Sequence, residues 1–145
     1  MKISIILVLI TLSGCAYPTK KESFIAQYPE KGMSVIYLYR SQTSIDSVNP
    51  DVPRFFVNDK AIGRLSIGGY YRVVVRPGKS IVTYKDSFFG IPFFWNSGKV
   101  EVMALENQSY FVKFGIESIL RVEKFELIPD VVGRREIKKT KLLVN

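Results

Sequence analysis

The chain has 145 residues, a formal net charge of +8, one cysteine and no histidine. That length suits one compact domain. A single cysteine excludes an internal disulfide, and the lack of histidine excludes Ser-His and Cys-His catalysis together with the commonest transition-metal ligand. We therefore expect no metal, no cofactor and no enzymatic activity.

Residues 1–14 have the layout of a cleavable export signal. Lys2 supplies the positive start, and residues 3–12 form an apolar stretch that is too short to span a bilayer as a mature helix. The following Leu12-Ser13-Gly14-Cys15 resembles the lipobox of bacterial lipoprotein precursors. The resemblance implies that the signal is cut before Cys15 and that the Cys15 thiol carries the lipid, with palmitate among its acyl chains.

The lipobox resemblance also implies a location in the cell envelope. Ala16 follows the cysteine where an aspartate would retain a Gram-negative lipoprotein in the inner membrane, so the periplasmic face of the outer membrane is favoured in such a cell. For an exported protein, the positive charge favours anionic lipid headgroups or envelope polymers as surroundings. We expect no binding to nucleic acid.

Residues 15–31 are expected to form a lipidated tether. Pro18 and Pro29 discourage a continuous helix, because a proline pushes the residue before it toward extended geometry. Between them, Thr19 and Glu22 have the spacing of a capping box, which predicts a short helix.

The strand pattern begins with residues 33–40, whose apolar side chains on both faces predict a central strand. Asn58-Asp59-Lys60 predicts a hairpin turn between two further strands. Pro77-Gly78 predicts a second turn that pairs residues 70–76 with 79–85. By the same reasoning, residues 99–103 and 110–116 should form a third hairpin.

A further strand is predicted over residues 120–128, and a short basic helix over residues 131–140. About seven strands, with no long amphipathic helix to make crossovers, predict an all-β fold. The expected architecture is an antiparallel β-sandwich over residues 32–145, immunoglobulin-like or similar, with short helices near each terminus.

Several short motifs together resemble one bacterial family. They are residues 35–40, Phe56-Val-Asn-Asp-Lys-Ala-Ile-Gly63, Gly69-Tyr70-Tyr71, Arg76-Pro77-Gly78 and residues 109–113. In order and spacing they look like the family catalogued as domain of unknown function 2846. The resemblance implies a β-sandwich on a membrane-attached chain, and it implies no reaction.

An unusually apolar stretch interrupts the strand pattern at residues 86–98, where glycine and proline predict a loop. Its large apolar side chains are Phe88, Phe89, Ile91, Phe93, Phe94 and Trp95. We favour packing over one end of the sandwich, because a domain of this size needs an aromatic core. The alternative is an exposed docking loop for a lipid interface or a partner protein.

The charged side chains can be explained without a catalytic or metal-binding site. Near the end of the chain lie Arg134, Arg135, Lys138, Lys139 and Lys141, which form either a solvated end or a contact with phosphate-bearing lipid or polymer. The aspartates at 46, 51, 59, 86 and 130 fall in predicted loops, where turn chemistry explains them without catalysis.

These observations predict a lipid-anchored protein of the cell envelope that acts as a binding or scaffolding module. The aromatic stretch would then serve to dock an envelope protein. The alternative is a structural domain whose basic face associates with anionic envelope polymers or lipid headgroups.

Overall fold

The computed structural model describes residues 19–42, 52–88, 91–116 and 123–144. Within them the fold is all-β with one short helix. The strands are β1 (Thr19–Ser23), β2 (Ser34–Tyr39), β3 (Arg54–Val57), β4 (Lys60–Arg64), β5 (Gly69–Val75), β6 (Gly78–Phe88), β7 (Ile91–Ala104), β8 (Ser109–Ile116), β9 (Glu123–Ile128) and β10 (Lys141–Leu143), and the helix is α1 (Asp130–Ile137).

Six strands form one sheet in the order β1-β10-β5-β2-β8-β9. Strand β2 lies inside it, antiparallel to β5 and parallel to β8. All six residues of β2 are buried. The prediction of a central strand from its apolar faces is therefore confirmed.

The other four strands form an antiparallel sheet in the order β4-β3-β6-β7. Asn58 and Asp59 connect β3 to β4 with φ angles of 48° and 63°. Two consecutive positive φ values are those of a type I′ turn, and asparagine and aspartate tolerate them better than most residues. The predicted hairpin at this position is confirmed.

The two sheets share one hydrophobic core. Aromatic rings fill one part of it, where Phe55 packs edge-on against Phe114 with ring centroids 5.3 Å apart and Tyr84 packs against the same ring at 5.0 Å. Other buried members are Ile36, Leu38, Val57, Ile62, Leu65, Tyr71, Val75, Val82, Val100, Val102, Ala104 and Val112. The alternation of these positions along each strand produces this shared inner face.

A second apolar cluster covers the opposite face of the six-stranded sheet. Tyr37 and Phe111 stack there with ring centroids 5.2 Å apart, and Phe24 packs edge-on against Tyr37. Helix α1 completes the cover with Ile137, which is fully buried. The basic helix predicted near the end of the chain is confirmed, with Pro129 before its first residue and Asp130 in its first turn.

The N-terminal helix predicted around Thr19 and Glu22 is wrong, because residues 19–23 form strand β1, which is antiparallel to β10. The free edge of β10 offers this segment backbone partners, and that tertiary pairing overrides the local capping pattern. The described residues also contain more strands than the seven expected. In addition, β2 with β8 and β10 with β5 are parallel pairs, so the larger sheet is mixed.

Two of the predicted hairpins are also wrong. Strands β5 and β6 lie in different sheets, as do β7 and β8, so the turns between them carry the chain across the core. The second crossing is held by β2, because the Asn107 amide donates to the Met33 carbonyl at 2.8 Å and the Val35 amide donates to the Gln108 carbonyl at 3.0 Å. A turn sequence specifies that the chain bends, but it does not determine which strand the next segment pairs with.

The loop expected over residues 86–98 is replaced by strand. Strand β6 continues to Phe88 and β7 starts at Ile91, with Ser87 opposite Pro92. Strand β3 pairs with β6 only as far as Lys85. The backbone therefore extends β6 and β7 beyond β3 as a two-stranded ribbon.

Candidate binding cleft

A cleft of about 850 Å³ opens beside strand β5, and the β3–β4 turn forms part of its wall. Its apolar lining includes Val57, Ile62, Val73 and Val75. Its charged lining residues are Lys60, Arg72, Arg76 and Lys79. The volume falls in the range of pockets that hold ligands, which is about 300 to 1,000 Å³.

Strand β5 has an open backbone edge at this cleft. On that side β10 pairs only with the start of β5, where Lys141 lies opposite Gly69 and Leu142 opposite Tyr70. No strand among the described residues pairs with the rest of that edge, from Arg72 to Val75.

The register identifies which backbone groups point outward from β5. The backbone N–H of Val35 donates to the Gln108 carbonyl, which lies on the β8 side of β2. The backbone groups of Val35 therefore point away from β5, so Val35 forms a non-hydrogen-bonded pair with the residue opposite it in β5. Val35 lies opposite Val74, and Tyr37 lies opposite Arg72. Because hydrogen-bonded and non-hydrogen-bonded pairs alternate in an antiparallel ladder, the N–H and C=O groups of Arg72 and Val74 face the cleft side.

The charge along the cleft is positive. No acidic side chain is among the described lining residues. Lys79 is bound to Glu101, with 2.9 Å between Nζ and Oε2, whereas Lys60, Arg72 and Arg76 have no carboxylate partner in the described part of the chain. The cleft therefore holds three positive charges that no described carboxylate neutralises.

Glu101 sits at the exposed surface between two lysines. Hydrogen bonds from Lys99 and then Lys79 lower the pKa of Glu101 to about 2. Lys99 Nζ lies 2.7 Å from Oε1 of Glu101. Glu101 is shared between the two lysines, so it neutralises Lys79 only in part.

Arg72 differs from an ordinary surface arginine. Its Nε is shielded from solvent and has no hydrogen-bond partner among the described residues. A guanidinium group is well matched to carboxylate and phosphate oxygens, which accept its N–H groups in pairs. An anion in the cleft would give Arg72 acceptors that the described side chains do not provide.

The wall that carries Lys60 is held in place by Asn58. The backbone N–H of Asn58 donates to the Ile81 carbonyl at 2.8 Å. The side-chain Oδ1 of Asn58 accepts a hydrogen bond from the backbone N–H of Ile81, also at 2.8 Å. Asn58 Nδ2 also donates to Ser80 Oγ at 3.4 Å, so three hydrogen bonds fix the turn against β6. These hydrogen bonds therefore also fix the backbone of Lys60 beside the cleft.

The site residues predicted from the sequence are not among the described residues that line this cleft. Cys15 and Phe89 lie outside the described residues, as do the side chains of Phe88, Ile91, Phe93, Phe94 and Trp95, whose backbones belong to β6 and β7. Both interpretations of that aromatic segment, packed or docking, stay hypotheses.

Of the basic residues near the end of the chain, Arg134 and Arg135 lie on α1, Lys138 and Lys139 follow it, and Lys141 is the first residue of β10. Arg134 pairs with Asp130 at 2.8 Å and its guanidinium lies 5.6 Å from the centre of the Phe111 ring. Arg135, Lys138, Lys139 and Lys141 are exposed. None of these basic residues lines the cleft.

Two of the aspartates singled out in the sequence, Asp59 and Asp130, lie in described segments. Asp59 lies in the β3–β4 turn and Asp130 at the start of α1, while Asp46, Asp51 and the side chain of Asp86 lie outside the described residues. In the described part of the chain, no three His, Cys, Asp or Glu residues come close enough to hold a metal ion. The described helix is too short to cross a membrane.

The cleft has one visible signal in the sequence, which lies in strand β5. Arg72 is the only charged residue in Gly69–Val75, a strand that is otherwise apolar or aromatic apart from its first glycine. A charge in such a strand indicates an edge or a ligand contact. Arg76 and Lys79 follow Arg72 closely, on either side of the Pro77-Gly78 turn, whereas Lys60 comes from the β3–β4 hairpin and is brought to the cleft only by the fold.

No family model matches the chain, and neither do the curated proteins or the solved structures compared with it. The resemblances to the lipobox and to domain of unknown function 2846 therefore stay predictions.

Proposed function

We propose that this protein is a lipid-anchored binding module of the cell envelope, built on a β-sandwich, which holds an anionic ligand in the cleft beside β5. It acts by binding or scaffolding and not by catalysis. The membrane attachment is the lipid on Cys15, with the periplasmic face of the outer membrane as its location in a Gram-negative cell.

The observation that carries the proposal is the uncompensated charge of the cleft. Lys60, Arg72 and Arg76 line it without a described carboxylate partner. Apolar walls with a few charged groups are typical of ligand sites, and a partly closed site weakens the screening of charge by water. An anionic ligand would therefore bind more tightly, because it contacts the apolar walls and because its attraction to the cationic side chains is less screened by water.

The strand order supports a cleft close to the membrane anchor. Strand β1 starts at Thr19, shortly after Cys15, and pairs with β10. Strand β10 in turn pairs with β5, the strand that carries Arg72. A lipid on Cys15 would therefore hold the cleft near the membrane surface.

The test is a calorimetric titration of the full chain, in detergent micelles, with inorganic polyphosphate. The double variant Arg72→Gln/Arg76→Gln should bind about tenfold more weakly than the wild type, because two charge-assisted contacts are lost. Arg135→Gln/Lys138→Gln removes two charges outside the cleft and should bind like the wild type. Equal affinity for the wild type and both variants would contradict the proposal.

A second candidate function uses the exposed side of α1. Val131 is 80% exposed, and Arg135 and Lys138 follow it at spacings of four and three residues, which places them on one side of a helical path. An exposed apolar residue beside basic ones suits a membrane surface with anionic headgroups. Sedimentation with phosphatidylglycerol vesicles would then weaken in Arg135→Gln/Lys138→Gln and not in Arg72→Gln/Arg76→Gln.

A further inference from the structure

We propose that the ligand of the cleft is an extended acidic segment of a partner protein, which adds to the open edge of β5 as a new strand. This inference rests on the proposed function, since it names the ligand class of the same cleft. It depends on three features: the outward backbone groups of β5, the alternation of its side chains, and its charge.

The backbone of β5 offers the hydrogen bonds for such an addition. Arg72 and Val74 direct N–H and C=O groups away from β2, and no described strand accepts them. Unpaired groups in a row along a sheet edge form a template for an extended peptide. A peptide added at this edge would continue the ladder that β10 starts at Gly69 and Tyr70.

The side chains of β5 indicate what such a peptide would carry. Val73 and Val75 belong to the core between the two sheets, so an added strand would meet Val57 and Ile62 on that side. Arg72 lies on the other face, in register with Tyr37. Because the side chains of a strand alternate between faces, alternating apolar and acidic residues would match the apolar wall and Arg72 respectively.

The charge favours an acidic partner over a second copy of this chain. Pairing of two β5 edges would bring Arg72 and Arg76 of both copies together, and like charges on neighbouring strands are destabilising. The net charge of +8 adds to that repulsion. An acidic segment instead brings carboxylates to Arg72 and Arg76, whose described surroundings provide none.

The experiment uses a fluorescein-labelled seven-residue peptide of alternating glutamate and valine, and measures anisotropy with the full chain in detergent micelles. Two further peptides carry N-methyl groups on the odd or on the even residues. N-methylation removes backbone donors and leaves every charge in place. We expect one of the two methylated peptides to bind at least about tenfold more weakly than the parent, since only one set of amides faces β5.

A protein variant tests the same edge from the other side. Val74→Pro removes an outward N–H that no described strand uses, and proline is tolerated at such edge positions. Val74→Pro should weaken peptide binding and leave polyphosphate binding unchanged. The methylated peptides keep the test decisive should this variant fail to fold, because they are measured with the wild-type protein.

The outcomes separate this inference from the proposed function. Polyphosphate binding that needs Arg72 and Arg76, together with peptide binding that is insensitive to both methylation patterns, would overturn strand addition and leave an anion site. Polyphosphate binding without any peptide binding would do the same. The absence of both would overturn the anion site and strand addition alike, and the cationic side chains would then only keep the edge of β5 from pairing.

Discussion

The Tyr39 hydroxyl donates a hydrogen bond to the Glu136 carboxylate at 2.8 Å, and this contact joins central strand β2 to helix α1. The Lys113 ammonium lies 2.8 Å from the same carboxylate oxygen. Burial raises the pKa of Glu136, but hydrogen bonds from Lys113 and Tyr39 outweigh it, and the pKa is lowered overall. Burial, followed by the bond to Glu136, raises the pKa of Tyr39.

The lowered pKa of Glu136 predicts a dependence of stability on acid. Stabilisation from this group is present above its unfolded-state pKa, near 4.5, and is lost as the pH falls through its lower folded-state pKa. Glu136→Gln should therefore lower the free energy of unfolding at neutral pH by about 1 to 2 kcal/mol. In urea unfolding, the difference from the wild type should shrink as the solution is acidified, and a constant difference would contradict this account.

Gly133 allows α1 to lie against the sheet. A Cβ at this position would come within 2.3 Å of the Phe111 ring. Gly133→Ala should therefore destabilise the fold by about 1 to 3 kcal/mol, although alanine is the better helix former. Gly115→Ala is the matched control, because its Cβ would meet nothing within 4 Å. Thermal unfolding should show a clear loss for the first variant and little change for the second.

Asn58 has both a backbone and a side-chain role in the turn that bears Lys60. Asn58→Ala loses the bond from the Ile81 amide to Oδ1 and places alanine at a φ of 48°. We expect a cost of about 1 to 3 kcal/mol in the free energy of unfolding. Asn58→Gly loses the same side-chain hydrogen bonds but accepts this φ angle, so it should cost less. Equal losses for the two variants in urea unfolding would show that the backbone conformation contributes nothing.

Lipid attachment is tested through the only cysteine of the chain. Labelled palmitate should be incorporated into the wild type expressed in bacteria, and Cys15→Ser should abolish the label. No other thiol is present to accept it. Persistence of the label in Cys15→Ser would contradict lipidation at this position.

Local patterns predicted those parts of the fold that local chemistry determines. The apolar faces of β2, the Asn58-Asp59 turn and the basic helix after Pro129 are each specified by a few neighbouring residues. The pairings of β5 with β2 and of β8 with β2 were missed because they join distant segments. Pro77-Gly78 makes the same bend whether the chain stays in its sheet or crosses the core.

The candidate cleft was harder to predict for the same reason. Lys60 comes from the β3–β4 turn, while Arg72 and Arg76 come from β5 and the residue just after it. Arg72 and Arg76 are neighbours along the chain, whereas Lys60 comes from the other sheet and reaches the cleft through the fold, and the open edge follows from the shortness of β10. Neither property is visible in a local stretch of sequence.

Mapping of amide chemical shifts in the full chain, during titration with inorganic polyphosphate, tests the central claim most directly. We expect the largest changes at the amides of residues 72–76 and of the turn at residues 58–60, which border the cleft. The amides of α1, none of which belongs to a residue that lines the cleft, should change little. Changes confined to α1, or none at all, would contradict an anion site beside β5.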